Sequence, residues 1–185
     1  YKITGRHLID VNLGSLSKAP TIRNTFTNAR QNNNVTIGLE SEKIQNIDIG
    51  YIYRSPIVKA RLTGFYSNFS NGTDLGFYFT ENLAGLGLEQ DAFIQEVMTN
   101  VEKQHIGIEF GIEAQVTPTI KLKGAASMGQ YTFNNNPNLY ITSDDLDGPV
   151  TFGDGTTKLK DYHVAGGPEK AYQVGFEYRD PKFWW

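Results

Sequence analysis

Between residues 43 and 69 the sequence alternates apolar and polar side chains, with one interruption at Ser55-Pro56. Ile47, Ile49, Tyr51 and Tyr53 share one face of the first half, opposite Asn46, Asp48, Gly50 and Ile52. In the second half Val58, Ala60, Leu62, Gly64 and Tyr66 oppose Lys59, Arg61, Thr63, Phe65 and Ser67. A period of two sustained this long is the pattern of β-strands with one apolar face. Proline cannot donate to a sheet ladder, so Ser55-Pro56 is a tight reversal and the halves form a hairpin. The chain is thereby committed to an antiparallel sheet of long strands.

The same period recurs elsewhere. A first strand over about 7–17 sets Ile9, Val11 and Leu13 against Asp10, Asn12 and Gly14, and Pro20 closes it. A long strand over about 92–116, with a bulge expected near Glu102, sets Ile106, Ile108, Phe110 and Ile112 against His105, Gly107, Glu109 and Gly111. Strands follow over about 120–133 and 172–178, the last with Tyr172, Val174, Phe176 and Tyr178 on one face. Asn71-Gly72 reads as a turn, with a short strand at 75–79 and a poor helix former at 83–88. Short connections at 55–56, 117–118 and 180–181 then alternate with long polar loops at 18–40, 71–92 and 134–168.

Strands of ten or more residues exceed the usual five or six and suit a tilted membrane crossing. Tight turns at one end and long loops at the other are the pattern of an outer-membrane barrel. The expected class is therefore all-β, an antiparallel meander of about six strands from a larger transmembrane β-barrel. A soluble or surface β-rich binding or adhesion domain is the alternative, with the long loops as its recognition surface. The side opposite the apolar stripe carries Lys59, Arg61, Glu109 and Glu113, which a small dry core would hold only at high cost. A wet lumen tolerates them.

Other classes fall away on composition. Among 185 residues there is no cysteine, and 17 basic against 20 acidic side chains leave no basic tract for nucleic acid. No run of about 18 apolar residues exists for a helical span. The three histidines, His7, His105 and His163, have no paired spacing. Glu109 and Glu113 stand about 13 Å apart on one strand face, too far for paired catalytic carboxylates. Neither an enzyme nor a bound cofactor is expected. The sequence opens at Tyr1 inside strand-like text and closes on Phe183-Trp184-Trp185, so it is expected to be one piece of a longer chain.

Several short stretches occur in a characteristic order. Ser17-Lys18-Ala19-Pro20 follows a strand containing Leu13-Gly14, and Leu39, Glu42 and Lys43 precede Asp48-Ile49-Gly50-Tyr51. Leu62, Phe65 and Tyr66 come next, and Gly107-Ile108-Glu109 opens the crossing of a later strand. In this order the sequence resembles the barrel portion of TonB-dependent outer-membrane receptors, most of all those of the Bacteroidetes type. The resemblance implies the bacterial cell outer membrane, a barrel of about 22 strands around a plug, and outer-membrane lipid as surroundings. It further implies active uptake powered by the TonB energy-coupling complex, with a surface lipoprotein lid as another partner. The plug, the N-terminal coupling box and the family's final strand are not among these residues.

Three sets of candidate residues follow. Tyr51, Tyr53, Tyr66, Phe176 and Tyr178 lie near strand ends, where an aromatic girdle sits in a membrane barrel. Arg23, Arg30, Asn32, Asn33 and Asn34 occupy an outer loop and are candidate ligand contacts. Ser143, Asp144, Asp145, Asp147 and Gly148, with Asp154 downstream, resemble a calcium loop whose first and last positions fall on Ser143 and Asp154. Asp145, Asp147 and Asp154 are its candidate ligands, with an ordinary acidic turn as the plainer reading.

Overall fold

A computed structural model describes residues 1–81, 92–180 and 182. The expectations for 83–88, for Pro181 in the last turn and for Phe183 to Trp185 lie outside the described residues. One seven-stranded antiparallel sheet runs in the order β1-β2-β3-β4-β5-β7, with β6 added beside β4. The strands are β1 (His7–Lys18), β2 (Glu42–Arg54), β3 (Val58–Thr80), β4 (Ala92–Gln115), β5 (Ile120–Phe133), β6 (Asn138–Thr142) and β7 (Lys170–Tyr178). A single helical turn, α1 (Ile22–Thr25), interrupts the loop after β1.

The tight connections close through short side chains. Ser55 Oγ accepts the Val58 amide at 2.9 Å and donates to the Val58 carbonyl at 3.0 Å, satisfying the backbone that Pro56 cannot serve. Thr117 does the same work between β4 and β5, its Oγ1 accepting the Ile120 amide at 3.0 Å.

The register carries the alternation across the whole sheet. Val11 stands opposite Ile49, Ile49 opposite Gly64, Gly64 opposite Ile108 and Ile108 opposite Met128. One step along, Ile9, Tyr51, Leu62, Phe110, Ala126 and Tyr172 form a parallel row. Six strands thus share one apolar face, and that face is bare: Leu13 is 76% exposed, Phe176 76% and Val174 89%. In water so much contiguous apolar surface costs about 25 cal/mol per Å2 and marks a surface meant for another phase.

Two sequence expectations are corrected beyond residue 70, in the upper part of the sheet. Asn71-Gly72 is no chain reversal, and residues 71–80 are no loop, because β3 runs on to Thr80. Asn71 takes a left-handed φ of 60° and adds one residue to β3, and Asn100, at φ 53°, adds one to β4 just above. The two bulges cancel, so pairing resumes at Asp74–Met98 and continues to Thr80–Ala92. The bulge expected near Glu102 sits at this level. The stretch 134–168 likewise contains β6, paired to β4 from Gln95–Thr142 to Thr99–Asn138, so the described residues hold seven strands where about six are expected.

This upper extension holds the packed interior of the molecule. Leu75, Val97 and Tyr140 form a buried cluster. Val101, Ile141, Gln95, Thr99, Thr36 and Asn28 are buried around it. Below it, the lower sheet buries little of its own.

Candidate functional site

The polar side of the sheet is concave. A trough of about 1110 Å3 is lined by Asp48, Arg61, Thr63, Phe65, Ser67, His105, Glu109, Ser127, Tyr131 and Gln173, contributed by β2, β3, β4, β5 and β7. Several polar side chains on this face have partners on other strands, and one pair, from β3 to β1, reaches past β2. Arg61 reaches Asp10 at 3.1 Å, Asn12 donates to Asp48 at 2.8 Å, and Lys123 meets Glu177 at 2.6 Å. Lys121 stands 3.8 Å from Glu113. These residues alternate with the apolar positions in the sequence, but their partners emerge only once the register is known.

Gly107 has a local reason to be glycine. A Cβ there would lie 2.6 Å from the Phe65 ring and 2.6 Å from the Met128 carbonyl. The aromatic ring of β3 lies across the backbone of β4, covering it where no side chain can. Higher up, the His105 ring sits between Phe69 and Tyr131, with centroids at 4.8 and 4.6 Å.

Lys18 and Glu42 form the last rung between β1 and β2, with Lys18 Nζ 3.1 Å from the Glu42 carboxylate. Ala19 and Pro20 line a small polar recess beside them, with Glu40, Asn71 and Asp74. From there the loop 19–41 folds back over the concave side of the upper extension. Asn24 donates to the Thr73 carbonyl at 2.6 Å, and Thr36 Oγ1 donates to the Asn24 carbonyl at 3.0 Å. The Ile37 amide donates to the Tyr140 hydroxyl at 2.9 Å. Burial holds that phenol above its ordinary pKa, partly offset by its bond to the Ile37 backbone.

The loop candidates divide. Asn32 donates to Asp144 at 2.6 Å and joins the first loop to the third across 112 residues of sequence. Asn34 is held locally, its amide on the Asn32 side-chain oxygen. Arg23, Arg30 and Asn33 are exposed. In the acidic loop the candidate ligands do not converge. Ser143 Oγ donates to the Phe93 carbonyl, and Asp154 Oδ1 accepts the Thr156 hydroxyl at 2.9 Å and the Thr156 amide at 3.1 Å. Those two bonds hold the Asp154 carboxyl below its usual range. Among the described residues no three His, Cys, Asp or Glu side chains are grouped to hold a metal ion.

Sequence reasoning missed Tyr140 and Asn135. Asn135 donates to the Asn100 carbonyl at 2.7 Å and accepts the Glu102 amide at 3.1 Å, clasping the bulge on β4. The short apolar run Leu139-Tyr140-Ile141 is the available signal for Tyr140; none marks Asn135.

On the apolar face, Tyr53, Phe176 and Tyr178 stand toward the short-turn end, Tyr66 toward the other, and Tyr51 beside Tyr53. His7 Nδ1 lies 2.6 Å from the Tyr51 hydroxyl. These positions come together on one surface through the register.

The profile of the family described as "TonB dependent receptor-like, beta-barrel" matches residues 1–184. The chain belongs to the TonB-dependent receptor-like β-barrel family. Proteins of this family are transporters of the bacterial outer membrane and not enzymes. A solved structure, "Copper transporter OprC", is similar in fold, with a TM-score of 0.53 and 17% sequence identity. The match covers 75% of this chain and 22% of that one, so the chain spans about a fifth of the structure it resembles. No curated protein sequence matches the chain. Family membership supports the bacterial outer membrane as the location of this TonB-receptor-like chain.

Proposed function

We propose that these residues form wall and external loops of a TonB-dependent outer-membrane receptor that takes up its substrate by active transport. The observation that carries the reading is the six-strand apolar face, exposed from Leu13 to Val174, set back to back with an ion-paired concave face. In this reading the apolar face meets lipid and the concave face meets a lumen. The turns at 55–57 and 116–119 lie in the periplasm, and the folded loops around Tyr140 lie outside the cell. Tyr51, Tyr53, Tyr66, Phe176 and Tyr178 then contribute to the aromatic girdles. Arg23, Arg30, Asn32, Asn33 and Asn34 border the vestibule, and a surface lipoprotein lid would rest on the same end. Coupling to the TonB complex belongs to other parts of the whole receptor. Copper is the cargo named for OprC; at 17% identity that likeness supports the fold and no cargo is carried over.

Spin labels on cysteines placed in the whole receptor in bilayers test the reading. Labels at Ile108 and Leu62 should collide with oxygen and be shielded from a water-soluble nickel chelate. Labels at Glu109 and Ser127 should not share that preference. Equal chelate access at Ile108 and Glu109 would remove the lipid-facing assignment and favour a soluble binding domain.

A further inference from the structure

Where the first and third loops meet, the structure holds a cleft of about 290 Å3. Val35, Ile37, Leu146 and Pro149 give it apolar wall, and Asp144 and Asp147 give it carboxylates. Val35 is 58% exposed and Ile37 61%, so this apolar wall is left open by the packing around Tyr140. The rest of the lining is already fixed. Asn32 ties Asp144 to the first loop, Tyr140 holds the Ile37 amide, and the buried Thr27 hydroxyl donates to the Asn34 carbonyl at 3.4 Å.

Among the described residues no Lys, Arg or His lines the cleft. The surrounding loops carry four cations, Arg23, Arg30, Lys158 and Lys160, and none of them forms an ion pair among the described residues. Arg30 stands two positions before Asn32 but is exposed and outside the lining. Lys158 acts on Asp154, and His163 is engaged by Glu169. Against those four cations, the described residues of 19–41, 71–81, 92–101 and 134–168 hold nine carboxylates. They are Glu40 in the first segment, Asp74, Glu81 and Glu96 in the next two, and five aspartates in the last. The whole chain has a formal net charge of −3, so this end is more acidic than the chain it belongs to.

A concave surface of one sign raises the local concentration of ligands of the other sign and turns away ligands of its own. Apolar wall holds a ligand's body, and a few placed polar groups fix its orientation. An inorganic cation would leave the apolar wall unused, and among the described residues no three His, Cys, Asp or Glu are grouped for a metal. We propose that the cleft binds a compact organic cation, an ammonium or guanidinium group on a small apolar body. Asp144 and Asp147 take the charge, and Val35, Ile37, Leu146 and Pro149 take the body. The proposal rests on these loops lying outside the cell, and it names the class of ligand that the receptor meets there.

Phenethylammonium is the probe, with 2-phenylethanol and 3-phenylpropionate as its neutral and anionic counterparts. Each is titrated by saturation-transfer NMR onto the whole receptor in a neutral detergent, with empty micelles as the reference. The ammonium alone should saturate. Its Kd should rise about tenfold in Asp144→Asn plus Asp147→Asn, the loss expected for a hydrogen bond to a charged group. Amides at both positions still offer Asn32 an acceptor. With the wild-type chain, affinity should fall as salt is raised to about 1 M, where the Debye length is near 3 Å; this readout needs no variant to fold. No saturation by the ammonium, equal affinity for the alcohol, or a Kd indifferent to salt and to the double substitution would overturn the proposal. If that happens while spin labels at Ile108 and Glu109 keep opposite access, the ligand class alone is rejected. Equal access at those two labels would reject the receptor reading itself.

Discussion

At the scale of single residues, the chain shows why particular positions tolerate one side chain only. Phe65 lies on Gly107 so closely that any Cβ must push the ring or the β5 backbone aside. Gly107→Val should therefore destabilise the folded sheet by about 1–3 kcal/mol through overpacking. Urea unfolding of the whole receptor in detergent measures this; an unchanged midpoint would show that Phe65 moves freely. Glu169, just above β7, is a second such residue. Its carboxylate accepts the Tyr131 amide at 2.9 Å and meets His163 Nδ1 at 2.7 Å. The Tyr131 amide first, and the His163 contact second, hold its pKa below the ordinary value. A depressed carboxylate contributes its tether above its unfolded pKa, about 4.3 for Glu, and loses it as pH falls through the folded value. Amide exchange in 157–164 should rise on acidification through that window and be insensitive to it in Glu169→Gln. A window unchanged by the substitution would assign the tether elsewhere.

At the scale of elements, the upper halves of β3 and β4 depart furthest from what the sequence announced. Asn-Gly predicts a reversal because both residues accept left-handed backbone; here Asn71 spends that freedom on a bulge matched by Asn100. The second asparagine triplet looked like loop vocabulary, yet each member has a post. The Asn134 amide donates to the Glu102 carbonyl, Asn135 clasps the bulge, and Asn136 accepts the Lys160 amide. Long-range partners of this kind leave no local period, whereas the wall strands were legible because apolar alternation is a local property. Leu75→Ala should cost the extension about 2–5 kcal/mol while sparing the wall. Hydrogen exchange should quicken in 92–101 and 138–142 and not in 106–112; quickening throughout would show one cooperative unit instead of two.

At the scale of the molecule, fold class and the polar–apolar division of the sheet were legible in the sequence, since both follow from strand length and period. The candidate ligand set in the acidic loop was not, because spacing alone cannot say where Asp154 turns. An arginine on the apolar face measures the division directly. Ile108→Arg should cost about 2–4 kcal/mol near mid-membrane and lower the heat-stable fraction on gels, whereas Ser127→Arg, facing the trough, should leave it nearly unchanged. Equal losses would contradict a two-phase sheet.

The hydrogen bond from Asn32 to Asp144 spans 112 residues, while the hairpin at Ser55 closes between residues three apart. Closing a long loop costs more entropy than closing a short one, and non-local contacts form late. The lower sheet can zip hairpin by hairpin from its turns. The domed end has to wait, since residues 24, 36, 75, 97 and 140 must all arrive before Tyr140 finds its place. In pulse-labelling of refolding, protection at Ile108 should precede protection at Val97; the reverse order would mean that the dome nucleates the wall. Maturation of this receptor would then have a direction, from the turns toward the dome.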